Sequence, residues 1–149
     1  MIEGAPMQVL MVEDNLDHAE LIRRSFEDHQ VLNMMHHVHD GEEALDYLMR
    51  RKEYADVEQY PTPHLVLLDL RLPKVDGLTV LKEMKETEHL CRIPVVVLTS
   101  SAAEQDMVQA YQYHANSYLT KPLDFVKFTK LMKDLGFYWL GWNKSPISE

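Results

Sequence analysis

Short apolar runs alternate with amphipathic segments along this chain. The runs at 8–12, 65–68, 95–98 and 118–119 are rich in valine and leucine, and a further strand pattern covers 33–38. Runs this short and apolar are typical of strands buried on both faces of a parallel sheet. Helical patterns separate them. The sequence therefore predicts an α/β fold, a doubly wound five-stranded parallel sheet with helices on both faces.

Capping and turn residues mark the helices. The first helix is predicted to begin near Leu16, with an inward face of Ala19, Ile22 and Phe26. The other helices are predicted at about 42–52, from the Asp76-Gly77 turn, at about 102–114 and from Asp124. The stretch 50–63, before the third strand, is longer than this fold needs and is predicted to be a surface loop.

Polar residues stand at the carboxyl ends of four strands. Glu13 and Asp14 follow the first run, Asp69 follows the run at 65–68, Thr99 follows 95–98, and Lys121 comes two residues after 118–119. Because the carboxyl ends of parallel strands share one edge of a sheet, we expect these side chains to converge.

The chemistry open to such a group is narrow. Three carboxylates close together repel one another, and oxygen ligands without histidine or cysteine favour Mg²⁺. Lys121 and Thr99 would then contact the oxygens of a phosphoryl group, and Asp69 could attack its phosphorus. The sequence predicts a magnesium-assisted phosphoryl acceptor.

Each of these residues also has a simpler interpretation. Asp14 suits a helix cap, residues 99–101 suit the cap of the fourth helix, and Lys121-Pro122 suits a turn. Their coincidence at adjacent strand ends favours the functional interpretation. The histidines at 36, 37 and 39 invite a metal-site interpretation, because His37 and His39 would share one strand face. A third convergent ligand is not identifiable, which favours a polar strand edge.

In these residues and their order, the chain resembles the receiver domain, the phosphoacceptor module of two-component response regulators, from about Met7 to Leu135. The resemblance implies that Asp69 is phosphorylated. It also implies that Asp14 binds the metal directly, that Glu13 acts through water, and that the backbone carbonyl of Arg71 is a further ligand.

The resemblance assigns the switch as well. Thr99 is the switch hydroxyl, Tyr118 the switch aromatic and Lys121 the phosphoryl-binding lysine. Arg71 and Ser101 flank the path of the hydrolytic water, where a long cation and a side chain without a carboxylate predict slow self-dephosphorylation.

A cis peptide bond between Lys121 and Pro122 is a further expectation from the resemblance. The bond would turn the chain sharply and aim the lysine at the site. Only X-Pro bonds adopt the cis form cheaply, at roughly 0.5–1 kcal/mol.

The predicted organisation is a receiver domain at 1–136 and an aromatic tail at 137–149, with no output domain. Exposed together, Phe137, Tyr138 and Trp139 would present about 450–750 Å², as much as or more than the largest apolar patch of a typical monomer. This predicts a homodimer through the fourth helix, fifth strand and fifth helix, with the tail in the contact. Folding of the tail onto its own domain is the alternative.

Composition limits the classes of partner that the chain can bind. A formal net charge of -9 over 149 residues opposes nucleic-acid binding, and no apolar run approaches the roughly 18 residues of a membrane span. The single cysteine, Cys91, fits a cytoplasmic protein. The resemblance implies a histidine kinase as partner. The long loop and aromatic tail resemble single-domain regulators of cyanobacterial phytochrome kinases, which makes a bacterial phytochrome the candidate.

Other functional classes fit less well. An FMN protein needs small residues and free amides in its first loop, whereas residues 13–17 carry three carboxylates. A hydrolase with an aspartyl-phosphate intermediate needs an acid or base two residues after Asp69, where this chain has Arg71. We therefore expect a signalling switch and not an enzyme. A receiver-like module that binds without phosphorylation is the remaining alternative, although every predicted site residue is present.

Overall fold

The computed structural model describes residues 6–27, 33–136 and 138–139. Its strands are β1 (Met7–Val12), β2 (Asn33–Val38), β3 (Leu65–Leu68), β4 (Val95–Thr99) and β5 (Ser117–Thr120). Its α-helices are α1 (Leu16–Glu27), α2 (Gly41–Leu48), α3 (Gly77–Glu86), α4 (Glu104–Gln112) and α5 (Phe125–Gly136), with a 3₁₀ helix at Lys52–Ala55. Within these ranges, no helix is both long and apolar enough to cross a membrane.

All five strands form one parallel sheet in the order β2-β1-β3-β4-β5. Strand β1 pairs with both neighbours, so Val12 lies opposite Val38 on one side and Leu68 on the other. The last residue of β4, Thr99, lies opposite Thr120 of β5. The predicted doubly wound fold is confirmed, and the register brings the strand ends to one edge.

The sheet separates two apolar cores because successive side chains of a strand point to opposite faces. Leu10 and Val12 belong to the core that includes buried residues of α2 and α3. Val9 and Met11 belong to the core that includes buried residues of α1 and α5. The predicted inward face of α1 is confirmed, since Ala19, Ile22 and Phe26 all lie in this second core.

Two aspartates and a glycine fix where helices α2 and α3 begin. Asp40 Oδ1 accepts a hydrogen bond of 2.8 Å from Glu43 N, and Asp76 Oδ1 accepts one of 2.9 Å from Thr79 N. A Cβ atom on Gly77 would lie 2.3 Å from the carbonyl oxygen of Asp69. Only glycine therefore lets α3 begin directly against the end of β3.

Helix α2 is shorter than the pattern predicts. It ends at Leu48, because Arg50 and Lys52 adopt positive φ angles of 58° and 55°, which an α-helix does not contain. The following loop is anchored by aromatic rings, with Tyr54 and Tyr60 at centroid distances of 5.1 and 5.8 Å from Tyr47. The predicted surface loop is therefore held against the core at Tyr54 and Tyr60.

Two further expectations need correction. The described residues contain no cis peptide bond, so the Lys121–Pro122 bond is trans and the predicted cis bond is wrong. The trans isomer is the more stable form of an X-Pro bond, and Lys121 reaches the site from it. Trp139 is only 8% exposed and belongs to the core of α1 and α5, so the prediction that its ring is available for a dimer contact is also wrong.

The other described residue of the predicted dimer patch, Tyr138, is exposed. Tyr138 is 53% exposed, with its ring 5.6 Å from that of Trp139. Phe137 lies outside the described residues. For Trp139, the alternative of a tail folded onto its own domain is therefore the observed one. Burial in the adjacent core removes its large apolar ring from water without a partner chain. The homodimer itself stays a prediction.

Candidate functional site

The backbone of the sheet carries the acidic residues. Glu13 N donates to Val38 O and Asp69 N donates to Val12 O, each at 3.1 Å, so both residues extend the parallel hydrogen-bond ladder beyond the strands. One carboxylate oxygen from each of Glu13, Asp14 and Asp69 lies within 4.8 Å of the others. The predicted convergence of these three residues is present in the structure.

The acidic group differs in exposure from one member to the next. Glu13 and Asp69 are buried and Asp14 is exposed. Burial raises the pKa of Glu13 to about 7, the charge and hydrogen bond of Lys121 oppose that rise, and the charge of Asp69 adds to it. Carboxylates alone, partly desolvated and mutually repelling, fit a hard divalent cation such as Mg²⁺ or Mn²⁺.

Lys121 joins the acidic residues from the strand at the far edge of the sheet. Its Nζ donates to Glu13 Oε1, to Asp69 Oδ2 at 3.0 Å and to His18 Nδ1 at 3.1 Å. The backbone helps to position it, because Lys121 N donates to Thr99 O at 2.7 Å. The predicted approach of Lys121 to Asp69 is therefore present, together with a histidine contact that the sequence analysis missed.

Thr99 and Tyr118 both contact the loop that follows β4. Thr99 is fully buried, and its Oγ1 accepts a hydrogen bond of 3.2 Å from Ser101 N. The Tyr118 hydroxyl donates to the carbonyl oxygen of Ser101 at 2.8 Å, and burial raises the pKa of this tyrosine. The two predicted switch residues thus meet at one residue, Ser101.

Arg71 connects the acidic site to helix α4. Its backbone N–H donates to Asp69 Oδ1 at 3.2 Å, while its guanidinium pairs with Asp106 Oδ2. Ser101 Oγ donates to the same Asp106 oxygen at 2.5 Å. A cleft of about 350 Å³, lined in part by Asp14, Arg71 and Asp106, opens beside these groups. The structure thus places Arg71 and Ser101 together, with Asp106 between them.

The sequence analysis missed His18 and Asp106. A signal for His18 existed, because extending the inward face of α1 by one turn from Ile22 reaches position 18, beside the strand ends. Its ring packs edge-on against Phe128 of α5, with centroids 5.2 Å apart. No comparable signal marks Asp106, whose role depends on where α4 lies relative to Arg71.

Two histidines of β2 contact the neighbouring strand β1 and the residue that follows it. His37 Nε2 lies 2.7 Å from Glu13 O, and His36 Nε2 lies 2.8 Å from Gln8 Oε1. Burial lowers the pKa of both rings. Across the described ranges, the only converging group of potential ligands from histidine, cysteine, aspartate and glutamate is that of Glu13, Asp14 and Asp69. This favours the polar strand edge over a histidine metal site.

Known proteins of similar sequence and structure share this arrangement of elements. Residues 9–133 match the model of the response regulator receiver domain. The probable methanogenesis regulatory protein FilR2 of Methanothrix harundinacea is 47% identical over 95% of this chain and 88% of its own length. Response regulator Rcp1 of Synechocystis is 38% identical over 91% of this chain and 90% of its own.

Two solved structures superpose closely. The Mn²⁺-bound form of Rcp1 has a TM-score of 0.91 at 37% identity, covering 95% of this chain and 100% of that one. The phosphorylated cyanobacterial phytochrome response regulator RcpA has a TM-score of 0.91 at 38% identity, covering 96% and 100%. One relative thus carries a divalent cation and the other a phosphoryl group.

Proposed function

This chain belongs to the response regulator receiver family, and from that premise we propose that it is a phosphorylation-dependent switch whose acceptor is Asp69. A partner histidine kinase supplies the phosphoryl group, and Mg²⁺ assists its transfer. The observation that carries the proposal is the meeting of Asp69 with Glu13, Asp14 and the Lys121 ammonium at one edge of the sheet.

In the transfer step, an Asp69 carboxylate oxygen forms a bond to phosphorus as the bond between phosphorus and the kinase histidine nitrogen breaks. Asp14 and Asp69 would hold the cation, with Glu13 acting through water and the Arg71 carbonyl as a further ligand. The bound cation neutralises charge on the phosphoryl oxygens. Lys121 and Thr99 then supply a point charge and a hydrogen bond to those oxygens.

The contacts at Ser101 suggest how the signal leaves the site. Movement of Thr99 toward a phosphoryl oxygen breaks its bond to Ser101 N and displaces the carbonyl that holds the Tyr118 hydroxyl. Rotation of Tyr118 would then change the surface made by α4, β5 and α5. The coupling needs a change of only a few hydrogen bonds, each worth about 0.5–1.5 kcal/mol.

Two similar structures support one class of histidine kinase as the partner of this chain. RcpA is a cyanobacterial phytochrome response regulator, and a bacteriophytochrome response regulator, AtBRR, also matches, at 42% identity over 96% of this chain. We propose a bacterial phytochrome histidine kinase as the partner and the cytoplasm as the compartment. Phosphotransfer from purified phytochrome kinases, compared with kinases of other input classes, tests this partnership.

A homodimer remains part of the proposal, through the face of α4, β5 and α5. Met107, Val108 and Tyr111 are exposed on α4, so one of the three elements carries an apolar surface that does not depend on the tail. Sedimentation velocity should show a dimer for the wild type and a shift toward monomer for the Met107→Ala, Tyr111→Ala double variant. A wild type that is monomeric at micromolar concentration, with and without phosphorylation, contradicts the dimer.

Intact mass measurement after incubation with acetyl phosphate and Mg²⁺ tests the acceptor. One phosphoryl addition is expected for the wild type and none for Asp69→Asn. Asp14→Ala should lose both divalent-cation binding and labelling, because too few ligands remain. Asp17→Ala is the matched control, since it removes an exposed carboxylate from the first turn of α1 without touching the converging group. Undiminished labelling of Asp69→Asn contradicts the proposed function.

A further inference from the structure

The ammonium of Lys121 makes three hydrogen bonds in the buried site. Two go to carboxylates, Glu13 Oε1 and Asp69 Oδ2, and the third goes to Nδ1 of His18. A lysine ammonium has three N–H donors and no acceptor, so these partners account for all of its hydrogen-bonding capacity. His18 is the neutral member of the set.

The backbone and the ring of His18 each make one further contact. Its backbone N–H, in the first turn of α1, donates to Asn15 Oδ1 at 3.1 Å. Its ring packs edge-on against Phe128 of α5, at an interplanar angle of 68°. The imidazole of His18, a residue of α1, therefore contacts both the Lys121 ammonium and the Phe128 ring of α5.

The contact with an ammonium also fixes the protonation of the ring. Nδ1 can accept a hydrogen bond from Lys121 only when it carries no proton, so the proton of the neutral ring is on Nε2. Burial lowers the pKa of His18, and the charge of Lys121 lowers it further. Both effects keep His18 in the form that accepts from the lysine.

We propose that His18 is a positioning residue for phosphoryl transfer: its Nδ1 holds the Lys121 ammonium in place while the two carboxylate partners of the lysine change. This inference rests on the proposed function. Phosphorylation would alter the charge and position of the Asp69 oxygens, and cation binding would engage Glu13 through water. His18 takes part in neither event. One N–H of Lys121 stays on the imidazole, which leaves the other two directed at phosphoryl oxygens.

Substitutions that keep or remove the acceptor test this role. His18→Asn retains an oxygen close to the position of Nδ1, His18→Gln places its amide one carbon farther away, and His18→Leu provides no acceptor. With acetyl phosphate and saturating Mg²⁺, we expect the maximal rate of Asp69 phosphorylation to fall about tenfold in the Leu and Gln variants. His18→Asn should recover most of the rate. His89→Leu, at an exposed histidine between α3 and β4, is the control.

A double-mutant cycle separates positioning from general support of the fold. If His18 acts through Lys121, His18→Leu should have no further effect on the residual rate of a Lys121→Met variant. An equal fold-loss in both backgrounds overturns the inference, as does a wild-type rate for His18→Leu. If the Leu variant does not fold, as judged by thermal unfolding, the Asn and Gln variants decide, and equal rates for those two overturn the inference.

Different results would contradict the proposed function and the role of His18. A wild type that takes up no phosphoryl group, or an Asp69→Asn variant that does, removes the premise. A wild type that is phosphorylated on Asp69 while its His18 variants keep the full rate removes only the role of His18.

Discussion

The two halves of the site differ in how far water surrounds their charges. In the acidic half, the side chains of Lys121 and Glu13 are each only 2% exposed. In the half next to α4, Arg71 is 65% exposed and Asp106 is 14% exposed. Exposed ion pairs contribute about 0.2–1 kcal/mol, whereas removing one partner of a buried pair costs about 3–5 kcal/mol. Loss of an ion pair should therefore cost much more stability in the buried half than in the exposed half.

The largest expected effect is that of Lys121→Met on stability. It leaves Glu13 and Asp69 buried without their cation, so the free energy of unfolding should fall by about 3–5 kcal/mol at neutral pH in the presence of a chelator. Urea unfolding of this variant and of Arg71→Met, the matched control, measures the difference. Arg71→Met should change the value by less than about 1 kcal/mol. Equal losses of unfolding free energy in the two variants would contradict the difference between the buried and exposed halves of the site.

Glu13→Gln should show a pH-dependent gain in stability. Burial raises the pKa of Glu13 from 4.5 to about 7, so the folded state binds this proton more tightly than the unfolded state does. The contribution is fully present below pH 4.5 and is lost as pH rises through 7. Relative to wild type, the Gln variant should therefore gain on the order of 2 kcal/mol between pH 5 and pH 8 in chelator.

Addition of a divalent cation provides the control for the pH-dependent stability of Glu13→Gln. A cation favours the ionised form of Glu13, so Mg²⁺ should stabilise the wild type at pH 8 and stabilise Glu13→Gln much less. Thermal unfolding at fixed protein concentration, with and without Mg²⁺, measures both. A pH dependence identical in the two proteins contradicts a raised pKa at Glu13.

The smallest effects on stability, and the clearest on signal lifetime, are expected in the exposed half. Arg71→Ala should change the free energy of unfolding by less than about 1 kcal/mol, yet speed the decay of phosphorylated Asp69 by removing a cation that can cover the phosphoryl group. Asp106→Asn should slow that decay, because it frees Arg71 from its ion pair. Loss of label over time, followed by intact mass, measures both rates. Changes of the same sign contradict competition between Asp106 and the phosphoryl group for Arg71.

The sequence was sufficient for the part of the site that the sheet determines. Glu13, Asp14 and Asp69 follow apolar runs, and parallel strands necessarily bring such positions to one edge. Lys121 reaches Asp69 for the same reason. Strand β2 was predicted with its observed bounds, because its neighbours in the chain are a helix and a turn with recognisable residues.

Other contacts depend on how helices and loops pack, which periodicity does not specify. The partner of the Arg71 guanidinium is set by the position of α4, and the third acceptor of Lys121 by the angle between α1 and α5. The isomer of the Lys121–Pro122 bond was wrongly predicted from resemblance, because a long lysine side chain reaches the site from a trans bond as well. The burial of Trp139 likewise depends on the end of α5 and not on composition.

The backbone amides at the site should exchange their hydrogens with solvent at different rates. The amides of Glu13 and Asp69 lie inside the sheet ladder, bonded to Val38 and Val12, so their hydrogens should exchange with solvent only when the whole sheet opens. The amide of Ser101 is bonded to the Thr99 hydroxyl and should exchange through local motion of its loop. On the proposed function, a partner that binds α4 would alter how long the phosphoryl group persists while Asp69 keeps its place in the sheet.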